Sequence, residues 1–427
     1  MILSKTAPTV TAPASPMTTD SVLVLSVPIL YSLELTSACN NHCLGCGNVF
    51  AHNCTPEPLS ATRWGEILTS LRPHIHRLKL TGGEPTLHPE FEAIVTTLRE
   101  LDISFALFTN ARWRDPARLI AFLQTAPQCS GLLVSLHGAT AASHDAFTRV
   151  PGSFAETRAN IRRTVAAGLN VTSSTVITRH NWHEVRDIAS LSQELGANHA
   201  VFNRYLGEPL PQVEPSDAQL HQAVETIETL RREGDRVKFG NCIPQCFHPS
   251  SSTGCLAGIA YCTVDPWGNV RPCNHAPLIC GNLLEQSIEE IWHGEAMRRW
   301  REMIAEQCWH CLELSRCHGG CRAVALIQGA EKDSLMRAPI LEKEPAPSEE
   351  LILYEGAHPV GRYALRVEDF GYVLVRGNHI MPVVAAAGPV LDACDGQMSL
   401  VQLQERFGQE ALDFVGLLAR KGLVELR

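Results

Sequence analysis

Residues 34–50, ELTSACNNHCLGCGNVF, contain three cysteines in the spacing C-x3-C-x2-C. They are Cys39, Cys43 and Cys46, and their closeness along the chain indicates that the three thiols share one task. A structural zinc ion takes four protein ligands, and disulfide bonds consume cysteines in pairs. Three thiols therefore suit a centre that keeps one coordination position open.

The composition is typical of a soluble globular protein of two to four domains. The chain has 427 residues, of which 45% are hydrophobic and 19% charged, and its net charge of −9 gives no basic surface for nucleic acid. Residues 1–24 are predicted to form a disordered tail, because the first twenty are rich in Thr, Ala and Pro and lack the apolar run of a secretion signal. The next apolar run is interrupted by Pro28 and is too short to span a membrane. Sixteen cysteines without a signal peptide indicate a cytoplasmic protein whose thiols bind metal rather than form disulfides.

Strands and helices alternate through residues 25–235, which we predict to be the first domain. The β-rich runs are LYSLELT, RLKLT, SFALFT, GLLVSLH, NVTSSTVIT and HAVFN, with helical patterns between them. Alternating βα units predict a parallel sheet, either a partial (β/α)6 barrel or a doubly wound sheet. In both architectures ligands collect at the carboxyl ends of the strands, which is where the cysteine triplet falls.

The triplet suits an iron–sulfur cluster better than a single ion. A four-iron, four-sulfur (4Fe–4S) cluster held by three thiolates has one iron that can bind a cofactor or substrate. A zinc ion with a fourth ligand from His42, His52 or Cys54 is the alternative. C-x3-C-x2-C after the first strand resembles the signature of the radical S-adenosylmethionine (SAM) superfamily, which implies a cluster that binds SAM.

A second motif strengthens the resemblance. TGGEPTLHPEF, residues 81–91, follows the second strand and resembles the GGEP stretch of that superfamily. The resemblance implies that the backbone at Gly82, Gly83 and Pro85 approaches the methionine end of SAM, where glycines permit close contact. It also implies that Glu84 accepts from the ammonium group of the cofactor.

Three further positions resemble cofactor contacts of the superfamily, and one position departs from its pattern. Asn110 and Ser135 end the third and fourth strands, and Arg149 resembles an arginine near the carboxylate of SAM. The superfamily often has an aromatic residue before the third cysteine, where this chain has Gly45. The packing on the adenine side of the cofactor is therefore left open.

The resemblance implies radical chemistry. A reduced cluster would pass one electron to SAM, and the resulting 5′-deoxyadenosyl radical would abstract hydrogen from an unactivated carbon. An electron donor such as flavodoxin or ferredoxin is implied as a partner. The sequence identifies no catalytic acid or base, and Glu208, Asp145, Tyr205 and Tyr261 are equally conceivable.

Residues 236–332 form a predicted cysteine-rich domain that resembles the SPASM extension, which carries auxiliary iron–sulfur clusters. The resemblance rests on Cys255-x12-Gly268-x4-Cys273 and on a later C-x2-C-x5-C-x3-C quartet. By the family pattern, a first auxiliary cluster is held by Cys255, Cys262, Cys273 and Cys321. Three corners of a second are held by Cys308, Cys311 and Cys317.

The fourth corner of the second auxiliary cluster is not assigned by the pattern. The family places one more cysteine downstream, and residues 322–393 contain none. The alternatives are an open iron, a nitrogen ligand such as His318, or a thiolate from Cys242, Cys246 or Cys280, with the first two of these cysteines preferred.

The last part of the chain is predicted to be a linker at 333–349 and a small domain at 350–427. The linker contains three prolines and several charges, and the small domain shows hairpin strands followed by three short helices. This order resembles the peptide-chaperone fold of pyrroloquinoline-quinone biosynthesis, also called the RiPP recognition element, a winged-helix-like α+β fold. The resemblance implies that a leader peptide adds as a strand beside the hairpin edge at residues 379–383.

Together, the resemblances imply a maturase that oxidatively modifies a ribosomally made peptide. Neither nucleic acid nor a membrane is expected as a partner. Auxiliary clusters favour net oxidation, such as a carbon–carbon, carbon–sulfur or carbon–oxygen crosslink. The competing hypotheses are a radical maturase of a protein side chain, as sulfatase maturases are, and a non-catalytic iron–sulfur scaffold. The predicted C-terminal domain favours a peptide substrate over a protein side chain. The intact cysteine triplet and the GGEP motif argue against a non-catalytic scaffold.

Overall fold

A computed structural model describes residues 22–50, 56–249, 254–342, 356–376 and 379–427. The chain divides into two compact units, a larger one that ends at Glu342 and a smaller C-terminal one that begins at Lys343. No helix in the described ranges is long and apolar enough to cross a bilayer.

The larger unit is built on parallel βα repeats, as the sequence predicts. All six β-rich runs form strands: β1 (Leu30–Glu34), β2 (Arg77–Thr81), β3 (Phe105–Thr109), β4 (Cys129–Ser135), β5 (Val171–Ile177) and β6 (His199–Arg204). The helices between and after them are α1 (Ala61–Leu71), α2 (Phe91–Glu100), α3 (Pro116–Gln124), α4 (Ala141–Thr148), α5 (Ser153–Ala166), α6 (Val185–Glu194) and α7 (Asp217–Arg232). The strands lie side by side in chain order without a switch point, which is the order of a partial barrel rather than of a doubly wound sheet.

Local signals in the sequence explain where the helices begin. Ser60, Thr140 and Ser216 cap α1, α4 and α7 through their hydroxyl groups, and Asp115 caps α3 just before Pro116. Helices α1, α2, α3 and α7 then turn an apolar face to the sheet. In α2 the buried residues follow steps of three and four: Phe91, Ile94, Val95 and Leu98.

The cysteine-rich region extends the same sheet rather than forming a separate body. It contributes the strands β7 (Val237–Phe239), β8 (Tyr261–Val264), β9 (Asn269–Arg271) and β10 (Gly281–Asn282). Its helices are α8 (Ile288–His293), α9 (Glu295–Glu302), α10 (Leu314–Cys317) and α11 (Arg322–Ile327). Strand β8 pairs in parallel with β1, so that β8, β9 and β10 extend the sheet beyond its first strand and complete ten strands.

Two boundary predictions need correction. Residues 333–342 are not a linker, because Asp333 is 1% exposed and Leu335 and Met336 are buried in the larger unit. Residues 343–349 of the predicted linker and 1–21 of the predicted tail lie outside the described residues. Within 22–24, which the prediction also gives to the tail, Val22 and Val24 pack against buried clusters of the larger unit.

The smaller unit has the strands and helices that the sequence predicts, together with a two-stranded pair. Its elements are β11 (Pro359–Gly361), β12 (Ala364–Glu368), β13 (Gly371–Arg376), β14 (His379–Val384), α12 (Gly388–Asp392), α13 (Leu400–Phe407), α14 (Gln409–Arg420) and β15 (Val424–Leu426). β12, β13 and β14 form an antiparallel sheet, and β11 pairs with β15. Among the described strands, β12 and β14 each pair only with β13, so both are edges.

Candidate active site

The cysteine triplet lies in the loop that follows β1, at the carboxyl edge of the sheet. The loop is anchored by backbone hydrogen bonds to neighbouring elements. The N–H groups of His42 and Leu44 donate to the carbonyls of Thr148 and Phe147 at the end of α4, over 3.0 and 2.8 Å. The end of α4 therefore holds the turn that contains Cys43.

The three thiols of the triplet lie near one another. Burial, together with the charges of Glu84 and Cys46, raises the pKa of Cys39 to about 11. Burial also raises the pKa of Cys43, and Cys46 and Cys39 add to that rise. Protons must therefore leave these thiols when iron binds.

Arg112, just beyond β3, clamps the triplet loop and was not foreseen from the sequence. Its Nη1 donates to the carbonyl of Asn40 over 2.7 Å and to Oδ1 of Asn41 over 2.8 Å. Its Nε pairs with Glu156 of α5 over 2.9 Å. Because Nη1 of Arg112 binds both the backbone of Asn40 and the side chain of Asn41, it restricts the orientation of the loop beside Cys39.

Two rings from distant elements pack against the glycines that flank Cys46. A β-carbon on Gly45, whose φ is +66°, would lie 2.5 Å from Cε2 of Tyr205 at the end of β6. A β-carbon on Gly47 would lie 2.5 Å from Nδ1 of His275. Tyr205 thus supplies an aromatic ring where the sequence has Gly45, and burial lowers the pKa of His275 to about 4 so that the imidazole stays neutral.

The glycines of the GGEP motif are required by a close approach of two loops. A β-carbon on Gly82 would collide with the carbonyl oxygen of Thr36, and one on Gly83 with that of Ala38. The N–H groups of Gly83 and Glu84 donate to these same carbonyls, each over 2.7 Å. Pro85 begins a short 3-10 turn, Pro85–Leu87. The motif therefore seats the triplet loop against β2.

Glu84, predicted to accept from the ammonium group of the cofactor, has hydrogen-bond partners within the chain. Glu84 is fully buried, and its carboxylate accepts from the hydroxyls of Thr86 and Thr109 and from the N–H groups of Thr86 and Asn110. Three of these donors reach Oε1 and one, the N–H of Asn110, reaches Oε2. Glu84 therefore holds the end of β3 in place and positions Asn110.

The other predicted cofactor contacts lie at different distances from the triplet. The Nδ2 of Asn110 donates to Oδ1 of Asn40 over 2.7 Å and lies 3.8 Å from the sulfur of Cys39. Ser135 is the last residue of β4 and is half-buried. Arg149 directly follows the end of α4, is exposed, and has a φ of +57°, which is uncommon for a residue with a side chain. The structure thus brings Asn110 directly to the triplet.

A polar network fills the barrel interior between β1 and β9 and was also missed from the sequence. Glu34, which is 1% exposed, forms an ion pair with Arg271 and accepts from Nδ2 of Asn274 over 2.8 Å. Lys79 of β2 stands 5.0 Å from the centre of the Tyr261 ring, and burial lowers its pKa to about 8.

Cys262 does not join the first auxiliary group that the family pattern assigns to it. It lies on β8 between Tyr261 and Thr263, whose hydroxyls bond to each other at 3.0 Å and so share one face of the strand. Because side chains alternate across a strand, Cys262 points to the opposite face, into the apolar core. The charge that raises its pKa beyond the effect of burial comes from Cys280.

The other three cysteines of that group lie together. Burial raises the pKa of Cys273, and the charges of Cys321 and Cys255 raise it further. The N–H of Cys321 donates to Asp333 over 2.8 Å, and Asp333 forms a buried ion pair with Arg204 at the end of β6. The Asp333 side chain therefore fixes the turn that presents Cys321.

Comparisons with known proteins agree with this geometry. The model of the radical SAM superfamily matches residues 33–192, and that of an iron–sulfur cluster-binding domain, SPASM, matches residues 255–312. The chain is 31% identical over 327 residues to the mycofactocin maturase MftC of Mycobacterium ulcerans, which covers 72% of this chain and 87% of that protein. The chain belongs to the radical SAM superfamily.

Other relatives of this radical SAM enzyme carry different names. It is 29% identical over 338 residues to a PqqA peptide cyclase of Xanthomonas campestris, covering 75% of this chain and 88% of the cyclase. It is 27% identical over 338 residues to an AdoMet-dependent heme synthase of Methanosarcina barkeri, covering 71% and 94%. Among solved structures, Streptococcus suis SuiB bound to S-adenosylmethionine superposes with a TM-score of 0.63 at 17% identity, covering 73% of this chain and 78% of SuiB.

The donor set of this radical SAM enzyme fits clusters better than single ions. Within the described ranges, no three side chains of His, Cys, Asp or Glu are grouped closely enough to hold one metal ion. Grouped thiols are the donors that iron–sulfur clusters take. His52 and Cys54, two candidates for a zinc ligand, lie outside the described residues.

A buried arginine next to Cys321 also fits an anionic cluster. Arg322 is 2% exposed, and its Nε and Nη1 find no hydrogen-bond partner among the described residues. An unpaired guanidinium in the interior is costly. An anionic cluster in the larger unit would supply charge of the sign that Arg322 requires.

Proposed function

We propose that this radical SAM enzyme is a maturase that oxidatively modifies, by crosslinking, a ribosomally synthesised precursor peptide. The observation that carries the proposal is the similarity to MftC, a mycofactocin maturase, and to a PqqA peptide cyclase over most of the length of each. SuiB, which has the same fold, has been solved bound to its precursor peptide SuiA. The cysteine usage and the absence of a spanning helix in the described ranges are compatible with a cytoplasmic enzyme.

The residues that would hold the radical-forming cluster are Cys39, Cys43 and Cys46. When bound there, the cluster would supply the electron for cleavage of SAM into methionine and a 5′-deoxyadenosyl radical, which would abstract hydrogen from the substrate. The chain's own part is positioning. Arg112 and Glu84 fix the triplet loop and Asn110, and Gly82, Gly83, Pro85, Ser135 and Arg149 remain the proposed surroundings of the cofactor. A flavodoxin or ferredoxin would supply the electrons.

Two auxiliary 4Fe–4S sites in the larger unit suit an oxidative reaction. Cys255, Cys273 and Cys321 would contribute to the first, and Cys308, Cys311 and Cys317 to the second. A crosslink removes two hydrogen atoms from the peptide, one by abstraction and one as a proton with an electron. The chemistry that auxiliary clusters supply when bound is the uptake of single electrons.

The smaller unit would recognise the leader of the precursor. β14 is an edge, so a leader strand can add beside it by backbone hydrogen bonds. Pro382 lies within β14, where a missing N–H is tolerated only on an edge. The proposed docking edge therefore runs along β14, as the sequence predicts for residues 379–383.

A second candidate function follows from the heme-synthase relative, whose length the chain covers to 94%. By that analogy the substrate would be a tetrapyrrole. A protein side chain, as in sulfatase maturases, is the remaining alternative. Neither alternative assigns a function to the C-terminal sheet, whereas a precursor peptide would bind to its edge through the leader. The peptide substrate is therefore preferred.

The proposal is tested by co-expressing the enzyme with short peptides encoded beside its gene and measuring their masses. We expect one peptide to lose two hydrogen atoms, and to remain unmodified with the variant that lacks all three triplet cysteines. Deleting residues 350–427 should spare 5′-deoxyadenosine formation but strongly slow the modification. An enzyme that turns over SAM and leaves every neighbouring peptide unchanged would favour the small-molecule or protein alternative.

A further inference from the structure

We propose that the segment 241–247, NCIPQCF, supplies one thiolate to each auxiliary cluster, Cys246 to the second and Cys242 to the first. The inference rests on the proposed auxiliary clusters and deepens that assignment. The segment lies upstream of the cysteine-rich motifs and is not part of the family pattern. With its two thiolates, each auxiliary site has four protein ligands. The stronger evidence concerns Cys246.

Cys246 shares one cavity with the three cysteines of the second site. The cavity is lined by Cys246, Cys308, Cys311 and Cys317, with Met336 and Arg337 closing one side. Cys246 also packs with the buried cluster around Cys308 and Leu314. The other candidates for the fourth ligand of the second site fit less well. Cys280 neighbours Cys262. Nδ1 of His318 is already engaged, because it donates to the carbonyl of Cys255 over 3.0 Å.

The sulfur of Cys246 is already oriented as a ligand. The backbone N–H of Arg337 donates to it over 3.2 Å. An N–H···S bond stabilises a thiolate and is one of the contacts by which proteins tune cluster ligands. Burial raises the pKa of Cys246, and the charges of Cys317 and Cys311 raise it further, which agrees with their closeness.

We assign Cys242, which is buried, to the corner of the first site that the family pattern gives to Cys262. The Oδ1 of Asn241 accepts from the N–H of Arg204 over 3.0 Å, and Nδ2 donates back to the Arg204 carbonyl over 2.8 Å. Arg204 in turn bonds Asp333, which holds Cys321. Asn241, the neighbour of Cys242, is therefore tied to the same buried ion pair as Cys321.

Two closed sites have a chemical consequence. With four protein thiolates, neither auxiliary cluster has an iron free to bind a substrate thiolate or amine. The auxiliary clusters would then exchange electrons with the substrate without binding it. Direct substrate ligation, which three thiolates would permit, is excluded by this assignment.

The test uses the full chain in which the triplet cysteines are replaced by alanine, so that only auxiliary clusters contribute to the spectra. Cys246→Ala should leave one iron of the second auxiliary cluster without a protein ligand. Mild oxidation should then remove that iron and give the EPR signal of a three-iron cluster, which the parent lacks. Cys280→Ala is the matched control, since Cys280 neighbours Cys262 outside both sites, and should resemble the parent. Cys246→Ser should keep four irons per site with an altered EPR spectrum.

Differential alkylation of the wild-type protein covers the case in which a variant does not fold. Cys246 is half-buried, so iodoacetamide should label it in protein stripped of iron and leave it protected in the loaded enzyme. Equal labelling in both forms, or a Cys246→Ala spectrum no different from that of Cys280→Ala, overturns the inference. These readouts do not involve a peptide, so failure of the proposed substrate would leave this result intact, and the reverse also holds.

Discussion

Replacing Asp333 with asparagine removes one charge of a fully buried ion pair and should be among the most damaging single changes in the larger unit. Asp333 and Arg204 are 0% and 3% exposed in their side chains, and two nearly parallel hydrogen bonds of 2.9 and 2.6 Å join them. The carboxylate oxygens also accept from the N–H groups of Leu335 and Cys321. Whichever way the amide of an asparagine turned, its NH₂ group would face N–H donors.

The expected loss follows from leaving Arg204 charged in the interior. Removing one partner of a buried pair costs about 3–5 kcal/mol. The control is Asp217→Asn, because Asp217 pairs with Arg337 on the surface, where its side chain is 66% exposed. A surface pair contributes about 0–1 kcal/mol.

Anaerobic urea unfolding, followed by circular dichroism, measures the two free energies of unfolding. Iron content after reconstitution gives a second readout, because Asp333→Asn also frees the turn that presents Cys321. We expect Asp333→Asn to lose stability and part of its auxiliary iron, and Asp217→Asn to lose neither. A loss below about 1 kcal/mol, equal to that of the surface control, would refute the assigned role of the pair.

Three further predictions concern the triplet loop and the smaller unit. Gly45→Ala should cost about 1–3 kcal/mol more than Gly168→Ala, because both glycines have positive φ but only Gly45 faces a ring, and thermal unfolding compares them. Because burial raises the pKa of Cys39 to about 11, iron loading of the triplet should tighten as pH rises from 7 to 9, by about tenfold per unit for each proton released, which chelator competition measures. Val384→Lys on β14 should weaken leader binding in calorimetry about tenfold, or about 1.4 kcal/mol. Val367→Lys on β12, the opposite edge, should leave leader binding unchanged. Equal effects of the two variants would contradict docking of the leader along β14.

The fold was largely predictable because its signals are local. Each parallel strand is a short apolar run bounded by turns, and helix caps such as Ser60 and Thr140 lie where the periodic patterns begin. The cysteine motifs are equally local, since one loop carries the whole triplet. The linker boundary was missed because Asp333 looks like a surface charge until its partner, 129 residues earlier in the chain, is known.

The parts of the site that could not be predicted depend on contacts between distant residues. Tyr205 and His275 meet the triplet loop only after the sheet has formed, and no spacing rule connects them with Gly45 or Gly47. Glu84 lies in the expected motif, but its task depends on four donors, two of them at the end of β3. The face to which a strand cysteine points depends on register, which a cysteine-spacing pattern does not contain.

Deuterium transfer from peptide to cofactor tests the central claim most directly. The enzyme would be reduced and supplied with SAM and a fully deuterated precursor peptide, and 5′-deoxyadenosine would be analysed by mass spectrometry. The account predicts that 5′-deoxyadenosine gains deuterium in proportion to modified peptide, and that the variant lacking Cys39, Cys43 and Cys46 forms neither product. Abundant 5′-deoxyadenosine without deuterium, or modified peptide from the triple variant, would contradict it.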